Sequence, residues 1–114
     1  MCSKAALDAI TERVCAAAKD VLGDRLEKVT LYGSYARGDY DSESDVDIFI
    51  LADIPQEACC DTGLEIRNHI WRLELEHNVQ ISPHVVCGAI FSQYSDILPF
   101  YMNVRKEGVE LYAA

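Results

Sequence analysis

Apolar residues open the chain at three- and four-residue spacing. Leu7, Ile10, Val14, Ala18, Val21 and Leu22 fall on one face, with Asp8, Glu12 and Lys19 opposite, which is the period of an amphipathic helix. Ser3 suits the N-cap and Gly23 the stop, so the pattern predicts a helix over 4–22. The period then changes to two. From Leu26 to Tyr32, Val29 and Leu31 share one face and Thr30 and Tyr32 the other, as in a strand. A second strand is expected over Ser44 to Leu51, and its nearly continuous apolar run after Asp47 implies burial on both faces.

Pro55 closes that strand, and 56–77 reads as a second helix with Ile66, Ile70 and Leu73 as its core stripe. Val79 to Val86 is a third strand. Leu98-Pro99 marks a helix stop and restart, because proline fits a first helical turn, and Tyr94, Ile97, Tyr101 and Val104 share a face around it. Gly108 follows Arg105 and Lys106 as a C-terminal signal, which leaves Val109 to Tyr112 for a short last strand. The order helix, strand, strand, helix, strand, helix, strand predicts an α/β (α+β) fold: a small sheet of three to four strands with helices packed mainly on one face. With 114 residues and no repeat or linker, one domain over 1–114 is expected.

Charge narrows the partners. Ten basic against 19 acidic residues give a net charge of −9, which repels nucleic-acid phosphates and anionic lipid headgroups, and no local cluster of Lys and Arg reverses it. The longest apolar run, Val46 to Ala52 interrupted by Asp47, is far short of the ~20 residues of a membrane span, and the N-terminus lacks an apolar signal core. A cytoplasmic protein is expected. Cys2, Cys15, Cys59, Cys60 and Cys87 form an odd set without a C-x-x-C pair, so they are expected to be free thiols, mostly small apolar core residues. His69 and His77 have no ligand spacing for zinc and are expected to be structural; Trp71, Tyr94, Phe100 and Tyr101 are expected in the core or an interface.

The chemistry concentrates between residues 31 and 50. Asp45 and Asp47 lie two apart at the start of a strand, so their side chains project from one face. Two carboxylates at one point repel each other and are costly to desolvate, and a hard divalent cation such as Mg2+ relieves both penalties. Upstream, Gly33 allows a tight turn and close approach to a ligand, while Ser34 adds a hydroxyl at the start of a helical turn, an arrangement suited to a triphosphate. Arg37 one turn later either contacts a phosphate or pairs with Asp39 or Asp41 to hold the loop. Tyr35 and Tyr40 are the aromatic candidates for contact with a nucleobase.

Gly33-Ser34, ten intervening residues, then Asp45-Val46-Asp47 resembles the signature of the polymerase-beta-type nucleotidyltransferase superfamily. The wider form, Gly-Ser-Tyr-Ala-Arg-Gly over 33–38 with Ser-Asp-Val-Asp over 44–47, and the short length are similar to the minimal nucleotidyltransferases, the MNT proteins. The tail from Leu98 to Val109 resembles the ending of small bacterial members. The resemblance implies a mixed-sheet, polymerase-beta-like fold that binds Mg2+ and ATP, or another nucleoside triphosphate, and transfers the nucleoside monophosphate to a hydroxyl with release of pyrophosphate. By position, Asp45 and Asp47 would hold the metal, Gly33 and Ser34 the triphosphate, with Arg37 beside them, and Asp45, Asp47 and Ser34 would carry catalysis. It further implies an antitoxin role toward a HEPN-domain protein, some members adenylylating a tyrosine of that partner; further copies of the chain are also compatible partners.

The sequence departs from the superfamily pattern at one place. Active members usually supply a third carboxylate from a neighbouring strand, and the candidate strand, Asn78 to Val86, contains no acid. Gln80, Ser82 and His84 alternate onto one of its faces, and His84 is the one able to act as a base near neutral pH. The rival reading is therefore a catalytically weak or inactive nucleotide-binding protein that neutralises a partner by covering it.

Overall fold

A computed structural model describes residues 3–114; the expectation for Cys2 falls outside the described residues. Helix α1 runs Lys4–Leu22, capped by Ser3, whose Oγ accepts from the Ala6 N–H at 3.1 Å. Strand β1 (Leu26–Tyr32) leads into a single helical turn, α2 (Ser34–Arg37), and β2 follows at Val46–Ala52. A 3-10 turn at Gln56–Ala58 opens α3 (Cys59–His77), which returns the chain to β3 (Ile81–Cys87). Two short helices, α4 (Gly88–Tyr94) and α5 (Pro99–Glu107), precede β4 (Val109–Ala113).

The sheet is mixed, in the order β3-β2-β1-β4. β1 pairs antiparallel with β2 and with β4, whereas β2 and β3 are parallel and need the long α3 crossover between them. Strand alternation divides the apolar residues between two faces. Val29, Leu31, Ile48 and Ile50 join Ile10, Val14 and Ala18 of α1 and Ile66, Ile70 and Leu73 of α3 in the main core. On the other face Phe49, Leu51 and Val104 form a smaller core with Tyr32, Val86, Phe91 and Tyr101, beneath α4 and α5. The long helices thus cover one face, as the pattern predicted, and the short ones shelter part of the other.

Boundaries differ where side chains compete for the backbone. β2 begins at Val46 rather than Ser44 because 41–44 close into a turn: Asp41 Oδ1 accepts from the Glu43 N–H at 2.9 Å and from Ser44 Oγ at 3.2 Å. β3 begins at Ile81 rather than Val79 because Asn78 ends α3 in the left-handed region, with φ 50, and the Val79 N–H still bonds back to Glu74 O. Trp71 is not core: it lies half exposed on the solvent side of α3 with Leu64 and Leu75, its ring beneath the Arg72 guanidinium. Tyr94 and Phe100 are likewise exposed, while Tyr101 packs on the smaller core. Cys15, Cys59, Cys60 and Cys87 are free thiols, with Cys59 and Cys87 buried and Cys60 exposed. Among the described residues no helix is long and apolar enough to cross a membrane.

Candidate active site

The site forms where β1 leaves the sheet and β2 enters it. Antiparallel register sets Tyr32 opposite Asp47, so the turn after Tyr32 and the carboxylates at the head of β2 meet at one edge. Gly33 adopts φ 75, ψ −157, a region open essentially to glycine alone. Its carbonyl accepts from the Ala36 and Arg37 N–H groups, both at 3.1 Å, and closes α2. Gly38, at φ 88, ψ 5, ends the turn with its N–H on Ser34 O. A Cβ at position 33 would fall 2.5 Å from Asp47 Oδ2; glycine is what lets the carboxylate lie against the backbone of the turn.

Asp45 stands one residue ahead of the ladder, and its charge reaches Asp47. Burial first and the Asp45 charge second push the Asp47 carboxyl above the usual range, with His84 and Arg37 opposing weakly. The pair therefore carries negative charge that its surroundings do not fully compensate. Burial, and after it the Asp47 charge, also raises the Tyr32 phenol. β3 supplies the next row: in parallel register Ser82 lies beside Asp47 and His84 beside Phe49. The His84 ring is 6.0 Å from that of Tyr32. The Val46 N–H donates to Gln80 O at 2.8 Å, which ties the start of β2 to β3.

The remaining candidates divide. Ser34 opens α2 directly behind Gly33 and is half-buried. Arg37 is held by two carboxylates, Nε on Asp39 at 3.2 Å and Nη1 on Glu107 at 3.4 Å; Asp41 is instead spent on its own turn. Both partners raise the Arg37 guanidinium. Tyr35 is 5% exposed and belongs to the main core, stacked on Tyr40 with ring centres 4.3 Å apart, so it does not present a face to a ligand as the sequence led us to expect. Tyr35 is the side chain by which α2 joins the main core.

Sequence reasoning missed the contribution of α5. A hollow of about 190 Å³ lies beside the Gly33 turn, lined by Tyr32, Gly33, Arg37, Phe100, Asn103, Val104 and Glu107. Its one sequence signal is the recurrence of Phe100, Asn103 and Glu107 along one helix face. The Arg37–Glu107 pair joins residues 70 apart and has no such signal. Among the described residues no group of three or more His, Cys, Asp or Glu is arranged to hold a metal ion. The donors this site would offer are two aspartates, hard oxygen ligands. That fits Mg2+, which takes one or two carboxylates and completes its shell with water and substrate phosphates.

Comparison with known proteins bears on family and fold. The family model described as nucleotidyltransferase domain matches residues 10–109. Two proteins of Methanocaldococcus jannaschii are similar in sequence. The one named "Putative protein adenylyltransferase MJ0141" is 37% identical over 91 residues, covering 80% of this chain and 84% of that protein. "Putative protein adenylyltransferase MJ0604" is 36% identical over 88 residues, covering 77% and 80%. In fold, the chain is similar to a crystal structure of a mutant MntA-HpeT toxin–antitoxin, with TM-score 0.55 and 13% identity over 91% of this chain and 73% of that one. It is also similar to a toxin–antitoxin crystal structure with AMP-PNP, with TM-score 0.54 and 18% identity over the same shares.

Proposed function

The chain belongs to the nucleotidyltransferase-domain family, and on that premise we propose that it transfers AMP from ATP to a hydroxyl of a partner protein, with Mg2+, as the antitoxin of a HEPN-domain toxin. The observation that carries this reading is the Asp47 carboxylate lying against the Gly33 turn, where a Cβ would fall 2.5 Å from its Oδ2, with the Asp45 charge close enough to act on it. The two relatives named as protein adenylyltransferases support the reaction class. The neighbour with AMP-PNP supports adenine as the base, and the toxin–antitoxin neighbours support the antitoxin role.

Asp45 and Asp47 would hold Mg2+, which when bound neutralises phosphate charge and polarises the phosphoryl group. Gly33 brings its backbone up to the triphosphate and Ser34 offers a hydroxyl to a phosphate oxygen. Arg37, committed to Asp39 and Glu107, holds the loop against α5. The incoming hydroxyl oxygen bonds to the α-phosphorus, the bond from that phosphorus to the bridging oxygen breaks, pyrophosphate leaves, and the hydroxyl proton passes to water. Catalysis on this plan is positioning and charge neutralisation.

One observation favours a second reading. β3 offers Ser82 and His84, with Gln80 just ahead of it, where an acid is usual, as expected of a protein that binds nucleotide without turning it over and silences its partner by contact. A single experiment separates the two. The protein is incubated with α-labelled ATP, Mg2+ and the product of the adjacent reading frame, and label and mass are followed on the partner. Gain of one AMP, lost in Asp45→Asn and Asp47→Asn, supports transfer; neutralisation of the partner with nucleotide bound and no label supports the second reading.

A further inference from the structure

We infer that the hollow between β1, α2 and α5 is the nucleobase subsite, where Phe100 covers the face of adenine and Asn103 reads its edge; this rests on the nucleotide reading above. The hollow begins at Gly33, so a nucleotide whose phosphates lie along Gly33, Ser34 and the aspartate pair can place its other end there. At about 190 Å³ it has the room of about six water molecules at ~30 Å³ each, enough for one bicyclic ring.

Its chemistry suits a neutral ring and not a phosphate. The one cation in the lining, Arg37, is paired with Asp39 and with Glu107, and Glu107 is itself part of the wall, so an anion gains little there. Val104 supplies a buried apolar floor. Tyr32 stands edge-on to Phe100, centroids 5.6 Å apart at 77°, which fixes Phe100 while leaving it 46% exposed and able to stack on a base. Asn103, one helical turn from Phe100, borders the same hollow. A carboxamide carries a donor and an acceptor side by side, the complement of adenine N7 and its N6 amino group. The two tyrosines that sequence position favours for this role, Tyr35 and Tyr40, stack on each other instead.

The test measures binding by calorimetry, with Mg2+, of a non-hydrolysable ATP analogue, its GTP, CTP and UTP counterparts, and inorganic tripolyphosphate, which has no base. Wild-type protein is expected to bind the ATP analogue best and tripolyphosphate more weakly. Phe100→Ala and Asn103→Ala should each weaken the ATP analogue about tenfold, leave tripolyphosphate within about twofold, and, for Asn103→Ala, erase the preference for adenine. Asn103 is exposed, so Asn103→Ala should melt as the wild type does; Phe100 also touches Tyr32, Phe49 and Tyr101, so Phe100→Leu, which keeps apolar packing but not the ring, is measured beside Phe100→Ala and should lose nucleotide affinity with retained tripolyphosphate binding. If Phe100→Leu or Asn103→Ala weakens tripolyphosphate as much as the nucleotide, or leaves the ATP analogue unaffected, the subsite is elsewhere. Wild-type protein that binds neither ligand overturns the nucleotide reading itself, a distinct result.

Discussion

Gly33→Ala separates the cost of a strained backbone from the cost of a displaced carboxylate. At φ 75, ψ −157 a residue with a Cβ costs about 1–3 kcal/mol. The new methyl would also sit 2.5 Å from Asp47 Oδ2, where ordinary contact starts at 3.4 Å, so the carboxylate must retreat by about 0.9 Å. Being the far end of a side chain, it can do so at little expense in stability. The expense falls on geometry, since a misplacement of about 1 Å at a reacting centre costs on the order of 100-fold in rate. Gly38→Ala is the control: at φ 88 it too pays for a left-handed backbone, about 1–2 kcal/mol, but its Cβ finds nothing within 4 Å. Both variants should melt lower, by about 4–8 °C per kcal/mol. Only Gly33→Ala should lose transfer of labelled AMP, by about 100-fold. A Gly33→Ala protein whose rate stays close to that of Gly38→Ala would refute the claim that Asp47 must lie against the turn.

Three further outcomes follow from the same coordinates. Because burial and Asp45 raise the Asp47 carboxyl in the folded state, the native protein holds that proton more tightly than the unfolded chain. Its stability therefore declines as pH climbs from the ordinary aspartate range through the raised value; urea titrations should show that decline flattened in Asp47→Asn, which is also more stable at neutral pH, and identical pH slopes in the two proteins would contradict it. Phe49→Ala empties the centre of the smaller core, where Phe49 is 1% exposed against Phe91, Phe100 and Tyr101, and should cost about 3–5 kcal/mol in urea unfolding; a loss under 1 kcal/mol would mean that α4 and α5 do not seal that face. Ser82→Asp sets an acid beside Asp47 in register and is expected to speed AMP transfer at saturating Mg2+ while lowering stability without it; an unchanged rate would show that the absent third acid does not limit turnover.

Most of the architecture was legible because it is local. The three- and four-residue spacing of Ile10, Val14 and Ala18 and of Ile66, Ile70 and Leu73 marked α1 and α3 and their buried faces, and the alternation in 26–32 placed β1 at its observed bounds. The two strand starts that moved did so through hydrogen bonds the period cannot see, the Asp41 turn and the left-handed Asn78 cap. Trp71 moved outward for a related reason: at the seventh residue after Leu64 it continues an apolar stripe that lies beside the buried one, and hydrophobicity alone does not say which stripe faces the sheet.

The candidate site divides along the same line. Gly33, Ser34, Asp45 and Asp47 stand out in the sequence because two chemical rules, a turn that needs glycine and carboxylates two apart on a strand, act over short spans. What makes them one site is the pairing of Tyr32 with Asp47 across β1 and β2, a register set by which faces of the two strands are apolar. The neighbours of this site are distant in sequence: the parallel register of β2 and β3 sets Ser82 beside Asp47, and Phe100, Asn103 and Glu107 of α5 line the hollow beside Gly33. Glu107 shows why this matters for chemistry. By taking Arg37 to the α5 side it engages a cation that sequence proximity assigned with equal right to phosphate, and the charge of Arg37 and His84 only partly offsets that of the aspartate pair. If this pair takes up Mg2+ as proposed, the ion relieves the repulsion between the carboxylates and binds the folded state in preference to the unfolded one, so melting should rise with Mg2+ concentration in the wild-type protein and not in Asp47→Asn; equal shifts in the two would refute it.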